Sequence, residues 1–308
     1  MRAPRLAVVA TLVIAAALAP LAASAQEWEK VEIVASPLGD GLYMLDGIGG
    51  NVVASVGEDG ALLVDDQFPQ VFDRLRASVP KLKDAPLRFV VNTNWHFDHA
   101  SANEVAARSG AVIIAHDNSR THMMADERIP EYDPRIVVPA YPKAALPVVT
   151  VADGLTLHFN GEDIQVRHVA NAHSDGDVLV RFPNANVVHT GDVFFSGGFP
   201  FIHVSGGGTI DGMIAGADAI LALCDAETKV VPGHGALSNR DGVKAYRAML
   251  VVAKDRVLRL VNEGKTLEQV LAAKPLAELG PEWKAGVPAE MFATVVYMDL
   301  TKKPALVS

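Results

Sequence analysis

The chain is poor in cysteine, in clustered positive charge and, beyond its first 25 residues, in long apolar runs. Its single cysteine, Cys224, has no partner for an internal disulfide. It ends the apolar stretch 219–224, where a small buried residue of a helix is expected. Lys and Arg number 27 against 36 Asp and Glu, a formal net charge of −9. The basic residues form no block, and phosphate neutralisation needs clustered Lys and Arg, so no nucleic-acid partner is expected. The run Gly206, Gly207, Gly208 lacks the following Lys and the spacing of a phosphate loop. No G-x-S-x-G elbow is present, which argues against a serine hydrolase. Internal repeats and low-complexity tracts are missing from residue 26 onwards.

Half of the 308 residues are apolar, enough for one large domain or two small ones. The first 25 residues read as a segment apart. Arg2 and Arg5 precede an Ala/Leu/Val-rich run over 6–21, and Ala23-Ser24-Ala25 forms an A-x-A site. At about 16 residues the run is shorter than the roughly 20 needed to span a bilayer. A signal peptide over 1–25 is therefore expected, with a periplasmic or secreted product and no membrane anchor after cleavage. Losing Arg2 and Arg5 with it takes the net charge from −9 to −11.

Short apolar segments separated by Gly and Asp turns predict strands over 31–35, 41–45, 51–55, 61–64, 87–91 and 111–115. Helical spacing is read over 71–79 and 101–109. The segment 126–147 carries Pro130, Pro134, Pro139, Pro142 and Pro147 and reads as a long irregular loop. Strands follow over 148–151, 155–159, 164–169, 178–182, 187–189 and 229–231, with a helix near 211–224. The remainder, about 238–308, is helical: Ser238 as a cap, a capping box at Thr266-Leu267-Glu268-Gln269, and Pro288 opening the last helix. Strands then helices, twice over, predict an α+β chain built as an αββα sandwich of two mixed sheets flanked by helices, one domain over 26–308.

Metal-capable residues gather at the ends of these strands. Asn94-Trp95-His96-Phe97-Asp98-His99 follows the apolar strand Leu87–Val91. His173, Asp192 and His234 each follow a later apolar strand and sit beside small residues. One histidine at a strand end is ordinarily structural, but four such loops in one chain are not what separate core positions need. Imidazole and carboxylate together suit zinc, and open catalytic sites use about three protein ligands.

This order, Asn94-x-His96-x-Asp98-His99 then His173, Asp192 and His234, resembles the metallo-β-lactamase superfamily over nearly all of the chain after residue 30. The resemblance implies a zinc hydrolase holding one or two Zn²⁺ per chain. A first site would use His96, His173 and whatever Asn94 gives; a second would use Asp98, His99 and His234, with Asp192 between the two. The β-lactamases with a metal-binding cysteine would carry it where Asp192 stands, and Cys224 is elsewhere. Zinc lowers the pKa of bound water towards about 7, and Asp98 would orient the resulting hydroxide and pass on a proton. Asn94 departs from the family's first histidine. An amide oxygen is a weak ligand and an amide can equally contact substrate, so the first site is expected to be the weaker and to fill second.

The remaining histidines, His116, His122, His158, His168 and His189, are expected in structural roles. His203, before the Gly-rich run, is a candidate to support a metal ligand from behind or to substitute for Asn94. Trp95, Phe97, Tyr141, Phe199 and Phe201 are candidates for a pocket wall or for core. The expected function is hydrolysis of a small carbonyl substrate, a β-lactam first, because lactams are met outside the cytoplasm. The alternatives are a glyoxalase II-like thioesterase or lactonase, favoured by Asp192, and a metal-compromised periplasmic accessory or binding protein, which Asn94 permits.

Overall fold

The computed structural model describes residues 27–302 apart from Pro134 and Pro281. The expected signal peptide lies outside the described residues. The first sheet opens with four antiparallel strands, β1 (Val34–Gly39), β2 (Leu42–Asp46), β3 (Val52–Gly57) and β4 (Gly60–Val64). Helices α1 (Phe72–Ala77) and α2 (Pro80–Asp84) lead to β5 (Leu87–Val91), parallel to β4. Two more short helices, α3 (Phe97–Ala100) and α4 (Asn103–Arg108), precede β6 (Val112–His116), parallel to β5, and α5 (Asp117–Met123). The proline-rich segment holds a two-stranded ribbon, β7 (Glu127–Arg128) with β8 (Val137–Val138), before β9 (Val149–Val151) closes the sheet beside β6.

The second sheet contains β10 (Gly154–Phe159), β11 (Glu162–Val169), β12 (Asp177–Phe182) and β13 (Val187–His189), successively antiparallel. The short β14 (Gly198–Phe199) leads to α6 (Ile210–Leu223) and then to β15 (Lys229–Val231), parallel to β13. After β16 (Ser238–Asn239) come α7 (Arg240–Asn262), α8 (Leu267–Ala272), β17 (Ala285–Gly286) and α9 (Ala289–Thr301).

Four layers result, an αββα sandwich. Between the sheets, Met44, Val53, Leu62, Val64, Val91 and Ile114 meet Ile164, Val166, Val178, Val180, Phe182 and Val231. On the outer face of the first sheet, Leu63, Val90 and Ile113 pack against Phe72, Leu75, Leu82 and Ala106. On that of the second, Leu179 and Val230 pack in one cluster with Ile220, Leu250, Val257 and Val296 of the long helices. β4 is buried on both faces, which is why it reads as an unbroken apolar run.

Element boundaries differ from the sequence reading where local chemistry intervenes. Expected strand 31–35 begins at Val34, because Trp28–Lys30 forms a 3-10 turn just before it. The helix expected over 71–79 ends at Ala77: Pro80 forces Val79 into extended backbone, φ −121° and ψ 116°, and starts a new helix. Asn239, not Ser238, caps α7 by accepting from the Asp241 and Gly242 N–H groups, Ser238 being paired with Val230 in the sheet. Pro288 is the N-cap of α9 rather than its first helical residue. The capping box at Thr266 and Gln269 forms with both bonds present.

This topology gathers the chemistry at one edge. β4 and β5 run parallel, as do β11, β13 and β15, and the loops that carry the metal-capable residues leave the C-terminal ends of these strands. Two backbone bonds tie the sheets together there: Asn51 N–H donates to Gly233 O at 2.8 Å, and Val178 N–H to Thr93 O at 2.8 Å.

Candidate metal centre

Two groups of three converge at this edge: His96, His173 and Asp192, and Asp98, His99 and His234. Within each group the candidate ligand atoms lie within 4.8 Å of one another. His96 is the N-cap of α3, which turns Asp98 and His99 back towards the second sheet. Asp192 lies in the 3-10 turn after β13 and stands between the groups. One of its oxygens is 3.2 Å from His99 Nε2 and 3.5 Å from His173 Nε2; the other is 3.3 Å from His234 Nε2. Asp98 lies 3.2 Å from His234 Nε2. Glycines make room for this approach. A Cβ at Gly50 would stand 2.2 Å from the His99 ring, and one at Gly233 2.2 Å from an Asp192 oxygen.

Two carboxylates that sequence reasoning gave no role complete the centre. Asp65, at the end of β4, accepts from Thr93 N–H and Thr93 Oγ1–H, both at 2.7 Å, and from His99 Nδ1 at 2.8 Å. Asp177 accepts from Ser174 N–H and Oγ–H at 2.7 and 2.6 Å and from His173 Nδ1 at 3.1 Å. Each fixes a ring so that Nε2 faces Asp192. A signal was available for Asp65, a carboxylate pair ending a wholly apolar strand. Asp177 had a weaker one, its place four residues after His173.

The residues fit a metal. Nine buried side-chain polar atoms lack a hydrogen-bond partner among the described residues, and three of them, His99 Nε2, His173 Nε2 and Asp192 Oδ1, converge in these groups. Orphaned polar atoms of this kind are costly unless something binds them. The electrostatics agree. Burial by itself would raise Asp192, but His99, His234 and His173 hold its carboxyl well below the usual range. Burial opposes charge on His99, yet Asp192, Asp98 and Asp65 push its pKa well above the ordinary imidazole value. The carboxylates thus demand positive charge at this point, which a proton or a divalent cation can supply.

Asn94 is fully buried, and its Oδ1 accepts the His96 N–H at 2.8 Å. His203, also fully buried, places Nδ1 2.9 Å from His96 Nε2 and is not a member of either group. The other histidines are bound into the fold. His116 and His168 stack with centroids 3.7 Å apart and bond to Ala152 O and Asp175 O. His189 bonds to Asn51 O and accepts from Gly191 N–H. His122 stacks on Trp95 at 3.9 Å between Glu127 and Asp175, and His158 pairs with Asp163 on the surface. Cys224 is half-buried just after α6.

Of the candidate wall residues, Trp95, Phe199 and Phe201 are buried, and Phe199 stacks on Phe292. Tyr141 O–H donates to Trp95 O at 2.9 Å. Phe97 is half-buried beside Phe68, which packs on Trp28. Phe195 stacks on the ring of His234.

The sequence model described as the Metallo-beta-lactamase superfamily matches residues 45–234. No match is found among functionally curated proteins. Among solved structures, the chain is similar to the stereoselective inverting sec-alkylsulfatase Pisa1 from Pseudomonas sp., with a TM-score of 0.64 and 16% identity over 86% of this chain and 50% of that one. It is also similar to a metallo-beta-lactamase from Pontibacter korlensis, with a TM-score of 0.57 and 14% identity over 71% of this chain and 99% of that one. The DIM-1 metallo-beta-lactamase gives 0.55 and 18% over 73% and 100%. At these identities the likeness is one of fold, and the chain spans about half the length of the alkylsulfatase.

Proposed function

We propose that this chain, which belongs to the metallo-beta-lactamase superfamily, is an exported metal-dependent hydrolase of small carbonyl compounds, β-lactams first among them. The observation that carries the reading is the pair of His/carboxylate groups whose orphaned nitrogens face Asp192. Donors of this kind suit zinc, which when bound lowers the pKa of water towards about 7 and polarises a carbonyl.

The chain's own residues do the rest. Asp65 and Asp177 hold His99 and His173 in the tautomer that leaves Nε2 free to bind. Asp98 and His234 keep side-chain exposures of 15% and 12%, whereas His99, His173 and Asp192 are buried, so substrate meets the site from the Asp98 side. Asp98 is placed to accept a proton from attacking water and deliver it to the leaving group. Phe195 against His234 and the half-buried Phe97 limit water on that side.

Support for β-lactams comes from the signal peptide expected over residues 1–25 and from the two β-lactamases of like fold. A second reading, an esterase-type enzyme acting on thioesters or lactones, is favoured by Asp192, a carboxylate shared by both groups. A panel of nitrocefin, an acyl-lactone and a thioester, run on metal-stripped and zinc-reloaded protein, tests the proposal. Zinc-dependent turnover of nitrocefin is expected. Turnover of lactone or thioester alone selects the second reading, and no turnover of any with two zincs bound makes the protein a binding or accessory one.

A further inference from the structure

The Gly-rich run and His203 have no part in the reaction as proposed, yet they are built into the centre. His203 is fully buried. Its backbone N–H donates to His173 O at 2.8 Å, and its carbonyl accepts from Gly208 N–H at 2.8 Å. Asp175 N–H donates to Gly206 O at 2.9 Å, so the loop of His203 and the loop of His173 are paired twice. A Cβ at Gly206 would stand 2.7 Å from His203 Nδ1 and 2.9 Å from the Trp95 ring, so glycine is required there for His203 to occupy its place. Ser205 is fastened to the buried Glu131 of the proline-rich segment. On the far side, Gly198 and Phe199 pair with Ala285 and Gly286 ahead of α9. The side chain so held reaches His96 Nε2 at 2.9 Å.

We infer that His203 is a positioning residue for His96: it accepts the Nε2–H of His96 and leaves His96 Nδ1, with its lone pair, as the metal-facing atom. This rests on the metal centre, not on the choice of substrate. The three rings thus have different backing. His99 and His173 donate to carboxylates, Asp65 and Asp177, whereas His96 donates to a neutral imidazole. A carboxylate partner raises the basicity of a ligating imidazole; a neutral one raises it less. The group of His96, His173 and Asp192 therefore has one weakly backed ring in addition to lacking a third histidine at Asn94. His203 joins both of its rings, one through the side chain and one through the backbone.

The test uses the full mature chain, stripped of metal and titrated with Zn²⁺ against a chromophoric chelator and with Co²⁺ by visible spectroscopy. His203→Asn keeps an acceptor near the Nδ1 position; His203→Gln is as polar but carries its acceptor towards the Nε2 position. The Gln variant is expected to lose affinity at one of two sites by about 10–100-fold, with altered Co²⁺ bands, and the Asn variant to recover to within about tenfold of wild type. Equal affinities in wild type, Asn and Gln variants would overturn the inference, as would equal losses in both with native circular dichroism. Wild-type protein that binds no metal at all would instead overturn the metal centre itself.

Discussion

Replacing Asp65 by Asn alters one atom and reverses two hydrogen bonds. The carboxylate now serves three donors, Thr93 N–H, Thr93 Oγ1–H and His99 Nδ1–H. In Asp65→Asn the amide oxygen can keep Thr93 N–H, and the amide nitrogen then faces Thr93 Oγ1 and His99 Nδ1. The hydroxyl can rotate to accept. His99 can accept only by moving its proton to Nε2, the atom that faces Asp192. A ring in that tautomer offers the metal no lone pair. Losing a partner of this kind costs about 10–100-fold in metal affinity, roughly 1.4–2.8 kcal/mol. The metal-free protein also loses charge-assisted bonds at a fully buried position, each worth about 1.5–3 kcal/mol. Chelator competition at pH 7 should show the loss at the site formed by Asp98, His99 and His234, with a lowered denaturation midpoint. An Asp65→Asn protein that binds two ions as tightly as wild type would refute the tautomer argument.

Further outcomes are expected elsewhere. Gly50→Ala and Gly233→Ala place a methyl 2.2 Å from His99 and Asp192 respectively, so each should lower metal stoichiometry in elemental analysis while preserving the fold by circular dichroism. Asn94→His should tighten the weaker site by about tenfold or more in zinc titration, provided the His96 N–H it releases finds another acceptor. Burial lowers the pKa of His122, but the bonds to Asp175 and Glu127 carry it up to about 9. Its folded pKa is raised, so its stabilising effect is full below about pH 6.5 and is lost as pH rises through about 9. With the ring 19% exposed, this amounts to about 1–2 kcal/mol after solvent screening. The destabilisation by His122→Gln in urea should be of that size at pH 6.5 and should shrink by pH 10.

Much of this architecture was legible because burial on both faces leaves a mark. Strand β4 is apolar throughout, β5, β13 and β15 are apolar but for Arg88, His189 and Lys229, and their ends are where the chain changes to His, Asp and Gly. Five of the six metal-capable residues could be found for that reason; His173 instead follows β11, a strand of alternating burial. Helix boundaries were less clear, since the α1–α2 break depends on one residue, Val79, being held extended by the proline after it. Asp65 and Asp177 were hidden by their ordinariness. A turn after a strand is a normal place for Asp, and only the three-dimensional contact to an imidazole reveals a role. The contact between His203 and His96 spans 107 positions, beyond any local pattern.

Asp192 and the two groups around it are expected to bind metal, and hydrolysis to depend on it. Metal-stripped protein titrated with zinc by calorimetry, with nitrocefin turnover measured on the same samples, tests this most directly. Two unequal binding steps are expected, the site of Asp98, His99 and His234 filling first, with turnover that appears only as zinc is added. Two equivalents bound with equal sub-nanomolar affinity would contradict the inequality of the sites, and turnover undiminished by metal removal would contradict the metal dependence itself.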